Sequence, residues 1–259
     1  MCDMADPHEG LVPGPDETLD TLLRDRVQLL QARKGYRTSV DAMALAFFAL
    51  QDPPVPLQRA VDLGAGSGLI SILLARSRLN LHVDLVELQP ELAARAGRNL
   101  QLNGVADRAV VHLHDLGGPW PALPPAQLVV SNPPYFQTLH RPPPRHPERF
   151  AAHCETTASL ERFAAAAAVL LAPEGHACFV YPLEGRRRLL QALQQAGLGH
   201  IEDCRLYHRQ GDAEPIRLLV RAKPSTEQVV VKVDPLYLHP TDSLDHTYTP
   251  AIETFLESL

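Results

Sequence analysis

Four consecutive residues in the middle of the chain, Asn132-Pro133-Pro134-Tyr135, have the types and the spacing that chemistry on an amino group needs. An amide or exocyclic nitrogen is a poor nucleophile because its lone pair is delocalised. The side-chain carbonyl of Asn132 and the backbone carbonyl of Pro133 can accept its two hydrogens and turn the lone pair toward an electrophile. Consecutive prolines stiffen this loop, and Tyr135 offers a flat face to a planar group.

A glycine-rich segment lies upstream, where Asp62-Leu63-Gly64-Ala65-Gly66-Ser67-Gly68 follows a short apolar run. Glycine lets the backbone turn tightly and approach a ligand closely. In a doubly wound sheet, a turn after the first strand lies where the strand order reverses, which is where ligands bind. Leu69 stands where a dinucleotide fingerprint needs its third glycine, so the pattern disfavours pyrophosphate binding.

Acidic residues follow the next two predicted strands. Glu87 comes 19 residues after Gly68, the distance at which a carboxylate can accept hydrogen bonds from both hydroxyls of a ribose. Leu88 beside it can line a slot for an adenine ring. Asp115 follows the third strand and can accept from an adenine amino group, with Leu116 offering backbone contacts. The alternative for each carboxylate is a solvated cap at a strand end.

Apolar strands alternate with amphipathic helices along the chain, which predicts a parallel sheet covered by helices on both faces. The predicted strands are residues 60–63, 83–87, 109–114, 127–131 and 176–181. The predicted helices are residues 69–76, 90–102, 160–171 and 184–196. Residues 200–207 and 216–221 are joined without room for a helix and should be antiparallel. We therefore expect an α/β fold with a seven-stranded, Rossmann-like, mostly parallel sheet that ends in an antiparallel hairpin.

The region before the core is predicted from weaker signals. Residues 1–16 are rich in proline, glycine and acid, which is typical of a mobile tail. Residues 19–23 are predicted as a short helix, and residues 27–31 as a strand that turns back at Lys34-Gly35. Residues 40–50 are nearly all apolar and predict a buried helix, which Ser39 could cap.

A single domain is expected, because 259 residues with 45% hydrophobic content can bury one substantial core. Its parts would be an N-terminal extension at residues 17–56 and a catalytic core at residues 57–223. An apolar stretch at residues 229–233 and a short helix near Ile252 follow the core.

Composition excludes several classes of protein. The four cysteines form no Cys-x-x-Cys pair, so neither a zinc ribbon nor a disulfide framework is predicted, and a reducing cytoplasm fits best. His112 and His114 share one face of a strand, but no third ligand has suitable spacing, so no metal is expected. The acidic N-terminus does not resemble a signal peptide, and no run of about 18 apolar residues predicts a membrane helix.

The net charge of −6 counts against binding nucleic acid by electrostatics alone. Three local clusters of basic residues could still contact phosphate or could be ordinary solvated surface. They are Arg33, Lys34 and Arg37; Arg141, Arg145 and Arg149; and Arg186, Arg187 and Arg188.

The order and spacing of these motifs resemble a family of bacterial tRNA (adenine-N6)-methyltransferases, which modify the adenine beside the anticodon of a valine tRNA and belong to the class I S-adenosylmethionine-dependent enzymes. The resemblance covers roughly residues 17–180 and includes residues 31–42, 62–68, 87–93 and 130–136 with Asn103-Gly104. The family's Ala-Arg-His-Glu element reads Ala152-His153-Cys154-Glu155 here, which puts in doubt an RNA contact by the missing arginine.

The resemblance implies S-adenosylmethionine as cofactor and tRNA as substrate, in a cytoplasmic protein that is a monomer or a weak homodimer. The implied catalytic residues are Asn132, Pro133, Pro134 and Tyr135. Asp62 would meet the amino-acid end of the cofactor, directly or through water. The implied cofactor-binding residues are Tyr36, Arg37, Thr38, Asp62, Gly64, Ala65, Gly66, Ser67, Gly68, Glu87, Leu88, Asp115, Leu116 and Asn132. Residues 36–38 could instead belong to a hairpin that only covers the sheet.

Other functions remain possible from the sequence. Methylation of a glutamine amide in a release factor uses the same chemistry, but those enzymes resemble one another in having a larger helical domain before the core, and only 59 residues precede Ala60 here. Methylation of adenine in DNA usually needs an added target-recognition domain. A non-catalytic RNA-binding module is a third alternative, against which the intact Gly64, Gly66, Glu87 and Asn132 argue.

Overall fold

The protein is built on one large twisted sheet with a separate two-stranded hairpin packed beside it. The structure is a computed structural model that describes residues 11–34, 37–120, 123–135, 159–241 and 247–259. The hairpin consists of β1 (Glu17–Leu22) and β2 (Val27–Ala32). The strands of the sheet are β3 (Arg59–Leu63), β4 (His82–Glu87), β5 (Ala109–Leu113), β6 (Ala126–Ser131), β7 (Leu171–Tyr181), β8 (Leu198–Arg209), β9 (Arg217–Lys223), β10 (Ser225–Lys232) and β11 (Leu236–His239).

Six helices surround the sheet in the described residues: α1 (Val40–Leu50), α2 (Leu69–Ser77), α3 (Pro90–Leu102), α4 (Leu160–Leu170), α5 (Arg186–Gln195) and α6 (Pro250–Glu257). Alternate strand residues face opposite layers, as the period of two requires. Ala60, Leu128 and Val130 pack toward α1, α2, α3 and α6, whereas Val61 and Val129 pack toward α4 and α5. Both faces of the central strands are therefore buried, which explains their continuous apolar sequences.

The strand order places two chain segments side by side at the carboxyl edge of the sheet. The order is β10-β8-β9-β7-β6-β3-β4-β5, and β11 also pairs with β8. The chain leaves β3 toward β4 and β5, then returns to β6 on the other side of β3. The crevice between β3 and β6 is therefore the point at which strand order reverses. Leu63 pairs with Ser131, so the glycine-rich loop and Asn132 begin at the same level.

The predicted core is confirmed in type and order. The predicted core strands and helices are present with bounds that differ by a few residues, and β9 is antiparallel to both β7 and β8, as expected. Helix α1 is buried from Asp41 to its end, and Ser39 accepts a hydrogen bond from the Asp41 amide at 3.3 Å. The predicted C-terminal helix is α6. No helix within the described ranges is long and apolar enough to cross a membrane.

The sheet has nine strands in the described residues, rather than the predicted seven. The two additional strands, β10 and β11, run parallel to β8 and extend the sheet beyond the antiparallel pair. The apolar stretch at residues 229–233 was predicted without a structural role. It pairs with the backbone of β8 because that strand would otherwise leave its hydrogen-bonding groups unpaired at the edge.

The predicted helix at residues 19–23 is wrong, because this segment belongs to strand β1. Side chains along β1 alternate between partly buried and exposed, and each residue pairs with β2. The turn lies at Leu23, Arg24 and Asp25, all with positive φ. Strand β2 therefore pairs with the preceding strand β1. The predicted turn at Lys34-Gly35 cannot be compared with the structure, because Gly35 and Tyr36 lie outside the described residues.

Two asparagines, Asn99 in α3 and Asn103 at its C-terminal cap, attach the hairpin to the core. Asn99 accepts from the Leu30 amide at 2.7 Å and donates to the Leu30 carbonyl at 3.1 Å. Asn103, one helical turn later, does the same with Gln28 at 3.1 and 2.7 Å. Asn99 also donates to the Ser67 carbonyl at 2.9 Å. Asn99 and Asn103 thus pair with the backbone of β2 as a neighbouring strand would. Asn99 also connects β2 to the glycine-rich loop.

Ionic contacts hold the beginning of the hairpin. Glu17 accepts from Arg95 at 2.9 Å and from Arg98 at 2.8 Å. Burial alone would raise the pKa of Glu17, but the Gly14 amide and the two guanidinium groups lower it to about 2. Arg98 also donates to the Val12 carbonyl at 2.6 Å, so residues 11–16 of the predicted mobile tail contact α3. Residues 1–10 lie outside the described residues.

Candidate active site

The glycine-rich loop presents bare backbone at the carboxyl end of β3. The Gly64 and Ala65 amides both donate to the Val86 carbonyl, at 2.8 and 3.1 Å, which fixes the loop against β4. Gly64 has φ +70° and is exposed, and a Cβ built on it would lie 3.0 Å from the Phe163 ring. Gly68 has φ +86° and begins α2. A side chain at either position would strain the backbone, and at Gly68 its Cβ would also lie 3.2 Å from Leu85 and 3.4 Å from Ala96.

Glu87 fixes the shape of this loop from the end of β4. Its Oε2 accepts from the Gly66 amide at 2.8 Å, and its Oε1 accepts from the Leu88 and Gln89 amides at 2.9 Å each. Burial raises the pKa of Glu87, although these three hydrogen bonds act in the opposite direction. A carboxylate has about four acceptor sites, so the arrangement leaves capacity for a hydroxyl donor. This geometry fits the ribose of S-adenosylmethionine.

Asp62 lies beneath the loop and is fully buried. Ser71 of α2 donates to its Oδ2 at 2.7 Å, and its Oδ1 has no hydrogen-bond partner within the described residues. Burial raises the pKa of Asp62 to about 7. An unsatisfied buried acceptor beside a ligand loop fits a ligand that brings a hydrogen-bond donor. A direct contact between Asp62 and the cofactor remains a prediction.

We expect the stability of the protein to fall as pH rises through this titration. Between about pH 4 and 7 folded Asp62 keeps a proton that the unfolded chain releases, which lowers the free energy of unfolding by up to about 4 kcal/mol across that window. Asp62→Asn cannot ionise and should show a smaller loss of stability. Urea unfolding of both proteins at pH 5 and 7.5 measures the difference. Equal losses in the two proteins would contradict the assignment.

A cavity connects the glycine-rich loop to the Asn-Pro-Pro-Tyr segment. It is lined by residues of the loop, of α1 and α2, and by one residue of the predicted catalytic motif: Thr38, Ala42, Gly64, Ala65, Ser67, Leu69, Ile70 and Asn132. Thr38 therefore lines this cavity. The Arg37 guanidinium contacts Asp20 at 2.5 Å and Thr18 at 3.0 Å on the hairpin. The predicted cofactor contacts of both residues remain predictions. Tyr36 lies outside the described residues.

The residues after β5 are less enclosed. Asp115 is exposed, accepts from the Gly117 amide at 2.8 Å and lies 3.7 Å from Arg162. Leu116 packs against the core layer formed with α4, and Leu88 is partly buried after Glu87. Glu87, Leu88, Asp115 and Leu116 thus lie at the carboxyl ends of adjacent strands, β4 and β5. Their predicted contacts with adenine and ribose remain predictions.

The Asn-Pro-Pro-Tyr segment leaves β6 beside the glycine-rich loop. Asn132 is partly buried and Pro133 is buried. The Tyr135 hydroxyl donates to Asn132 Oδ1 and lies 3.2 Å from Asp41 Oδ2. Tyr181 meets the Tyr135 ring edge-on, with centroids 5.6 Å apart. The motif is therefore held by side chains from several elements rather than by its prolines alone.

Sequence reasoning missed Asp41 and Arg217. Arg217 of β9 donates from Nε to Asp41 Oδ2 at 2.9 Å, and its guanidinium carbon lies 5.6 Å from the centre of the Tyr135 ring. Asp41 was detectable as the one charged residue in an otherwise apolar helix. Arg217 carried no local signal, because it lies 176 residues from Asp41 in the sequence.

The basic clusters are partly neutralised within the protein. Arg33 donates to the Glu17 carbonyl at 3.0 Å, Arg186 contacts Asp203 at 2.6 Å, and Arg188 contacts Glu161. Arg187 is exposed, and Arg141, Arg145 and Arg149 lie outside the described residues, as do residues 152–155. In the part of the chain that the structure describes, no three His, Cys, Asp or Glu side chains converge as metal ligands would.

The glycine-rich loop and the Asn-Pro-Pro-Tyr segment begin side by side where strand order reverses, which is the arrangement predicted for a methyltransferase. Residues 39–196 match the family model described as the methyltransferase small domain. The chain belongs to the methyltransferase small domain family.

Two curated relatives of this chain have the same name. The tRNA1(Val) (adenine(37)-N6)-methyltransferase of Tolumonas auensis is 30% identical over 218 residues, which cover 82% of this chain and 86% of that protein. The enzyme of the same name from Porphyromonas gingivalis (strain ATCC 33277) is 29% identical over 225 residues, covering 83% and 86% of the two chains.

Solved structures share the fold. The predicted O-methyltransferase Atu636 of Agrobacterium tumefaciens has a TM-score of 0.65 at 24% identity, over 84% of this chain and 96% of that one. Precorrin-6y C5,15-methyltransferase of Geobacter metallireducens has a TM-score of 0.53 at 17% identity, over 76% and 94%. These similarities establish the class I methyltransferase sheet and say nothing about the substrate.

Proposed function

We propose that the protein transfers a methyl group from S-adenosylmethionine to N6 of an adenine in the anticodon loop of tRNA, namely adenine 37 of a valine tRNA. The observation that carries the proposal is the pairing of Leu63 with Ser131, which starts the glycine-rich loop and Asn132 side by side. The names of the relatives from Tolumonas auensis and Porphyromonas gingivalis support the choice of substrate.

The residues of the chain act mainly by positioning. When bound, the cofactor supplies an electrophilic methyl group on a sulfonium. Asn132 Oδ1 and the Pro133 carbonyl accept hydrogen bonds from the two N6 hydrogens, so the nitrogen lone pair is turned toward the glycine-rich loop. Stacking of the adenine on Tyr135 contributes about 1 to 3 kcal/mol. Fixed carbonyl dipoles stabilise the positive charge that develops on nitrogen without reorganising during the reaction.

An anticodon-loop adenine suits this site because it is already unpaired, so its extrusion costs less than extrusion from a duplex. The overall charge of −6 means that contacts with RNA must come from local basic residues such as Arg187. A tRNA substrate places the protein in the cytoplasm.

The purified protein is expected to label tRNA when it is incubated with methyl-labelled S-adenosylmethionine and total tRNA from a strain that lacks this modification. Nucleoside mass spectrometry should identify N6-methyladenosine, and fragment mapping should locate it at position 37 of valine tRNA. A release factor and a DNA duplex serve as competing acceptors. Label in either of these but not in tRNA would overturn the proposed substrate.

A further inference from the structure

The Tyr135 hydroxyl has one proton and lies near two acceptors. It donates to Asn132 Oδ1, and Asp41 Oδ2 lies 3.2 Å away. A hydroxyl donates one hydrogen bond at a time, so the two acceptors compete for it. Both oxygens lie within hydrogen-bond distance, and the closer one belongs to Asn132, the residue that the proposed mechanism assigns to the substrate amine.

This hydrogen bond opposes binding of the amine. A donor already bonded to Asn132 Oδ1 occupies one of its two acceptor positions and reduces the electron density available to the other. The Pro133 carbonyl accepts one of the two N6 hydrogens and cannot also accept the hydrogen assigned to Asn132 Oδ1. The adenine amine is therefore held more strongly when the hydroxyl leaves Asn132 and the Tyr135 ring stays in place to stack on the base.

Asp41 is placed to receive this hydroxyl. Its side chain is 3% exposed in the first turn of the buried helix α1, so it cannot move far. Arg217 donates from Nε to the same Oδ2 at 2.9 Å and fixes the carboxylate, while its NH1 is bonded to the Ile216 carbonyl at 2.7 Å. The guanidinium also lies over the Tyr135 ring at 5.6 Å and limits its movement. Asp41 Oδ2 is therefore within hydrogen-bond distance of the hydroxyl when Asn132 Oδ1 accepts the substrate amine.

We propose that Asp41, fixed by Arg217, is a positioning residue that accepts the Tyr135 hydroxyl when the substrate amine binds, which frees Asn132 Oδ1 without moving the aromatic ring. The proposal rests on the proposed function. It assigns to the Asp41-Arg217 pair a role that acts through Tyr135.

A double-mutant cycle between Asp41→Asn and Tyr135→Phe tests this role. Asp41→Asn should lower kcat for tRNA by about tenfold or more in the wild-type background, because the hydroxyl then stays on Asn132. In the Tyr135→Phe background there is no hydroxyl to move, so the same substitution should lower kcat by less than about threefold. Cofactor affinity should change by less than about twofold throughout, because neither side chain lines the cofactor cavity.

Asp84→Asn provides the matched control. Asp84 is also 3% exposed and also pairs with an arginine, Arg59, at 2.7 Å, but it lies on β4 away from Tyr135. Its effect on kcat should be the same in both backgrounds. A purely structural Asp41 would behave in the same way, so equal losses from Asp41→Asn in the two backgrounds would overturn the inference. An increase in KM for tRNA with unchanged kcat would overturn it as well.

Failure of this inference can be distinguished from failure of the proposed function. Absence of methyl transfer to tRNA by the wild-type protein contradicts the function itself. Transfer by the wild type with no coupling between Asp41 and Tyr135 contradicts only the role of Asp41.

Discussion

Asn132→Ala is expected to reduce methyl transfer to tRNA by about 10³-fold, since loss of a fixed dipole at a reacting centre typically costs 10² to 10³ in rate. The alanine leaves the Pro133 carbonyl and the Tyr135 ring but removes the oxygen that orients the amine. Single-turnover transfer from labelled S-adenosylmethionine measures the effect. Cofactor affinity, measured by calorimetry, should fall far less than turnover, because Asn132 is only one of the residues that line the cavity and the glycine-rich loop and Glu87 are untouched.

Asn132→Asp is the matched control for this change. It keeps an oxygen acceptor of the same size at the same position, so its activity should lie well above that of the alanine variant. Retention of more than about a tenth of wild-type activity by Asn132→Ala would remove the amide from the reaction, because such a loss is too small for a group that orients the nucleophile.

Glu87→Ala is expected to weaken cofactor binding by about 10²-fold or more and to lower the free energy of unfolding by about 2 to 4 kcal/mol. The substitution leaves the amides of Gly66, Leu88 and Gln89 without their acceptor, so the loop loses the shape that receives the ligand. Calorimetric titration with S-adenosylmethionine and urea unfolding measure the two effects.

Glu87→Gln separates the two functions of this side chain. Glutamine keeps one oxygen that can accept from the backbone amides, but its NH2 group is a donor and faces the remaining amides. The losses of cofactor affinity and of the free energy of unfolding should therefore be smaller than those of Glu87→Ala. Binding by Glu87→Ala within about fivefold of the wild type would show that the carboxyl group supports the fold and makes no contact with the ligand.

The core of the fold was predictable because its signals are local. The hydrophobic pattern of about ten residues is enough to predict each buried strand and each helix. The short connections between these elements then allow only a few topologies for a parallel sheet. The neighbourhood of Gly64 and Asn132 follows from the same reasoning, since both segments end strands that meet at the point where order reverses.

The features that sequence reasoning missed depend on contacts between distant residues. Strand β1 was mistaken for a helix because its partner β2 and the α3 asparagines decide its conformation, not its own propensity. The burial of Asp62, the three amides on Glu87 and the meeting of Asp41, Arg217 and Tyr135 likewise need the assembled fold. The type of residue at a strand end predicts which hydrogen bonds it can make, whereas its neighbours in the fold determine which of them it does make.

The Asn99 side chain has a consequence for how the protein can move. One amide group holds the Leu30 backbone and the Ser67 carbonyl at the same time, so a displacement of the hairpin must distort the loop or break a buried hydrogen bond. The conformation of the glycine-rich loop is therefore linked to that of the β1-β2 hairpin near the start of the chain. Substitutions in the hairpin would alter turnover by changing the position of the glycine-rich loop, without removing any residue that takes part in the reaction.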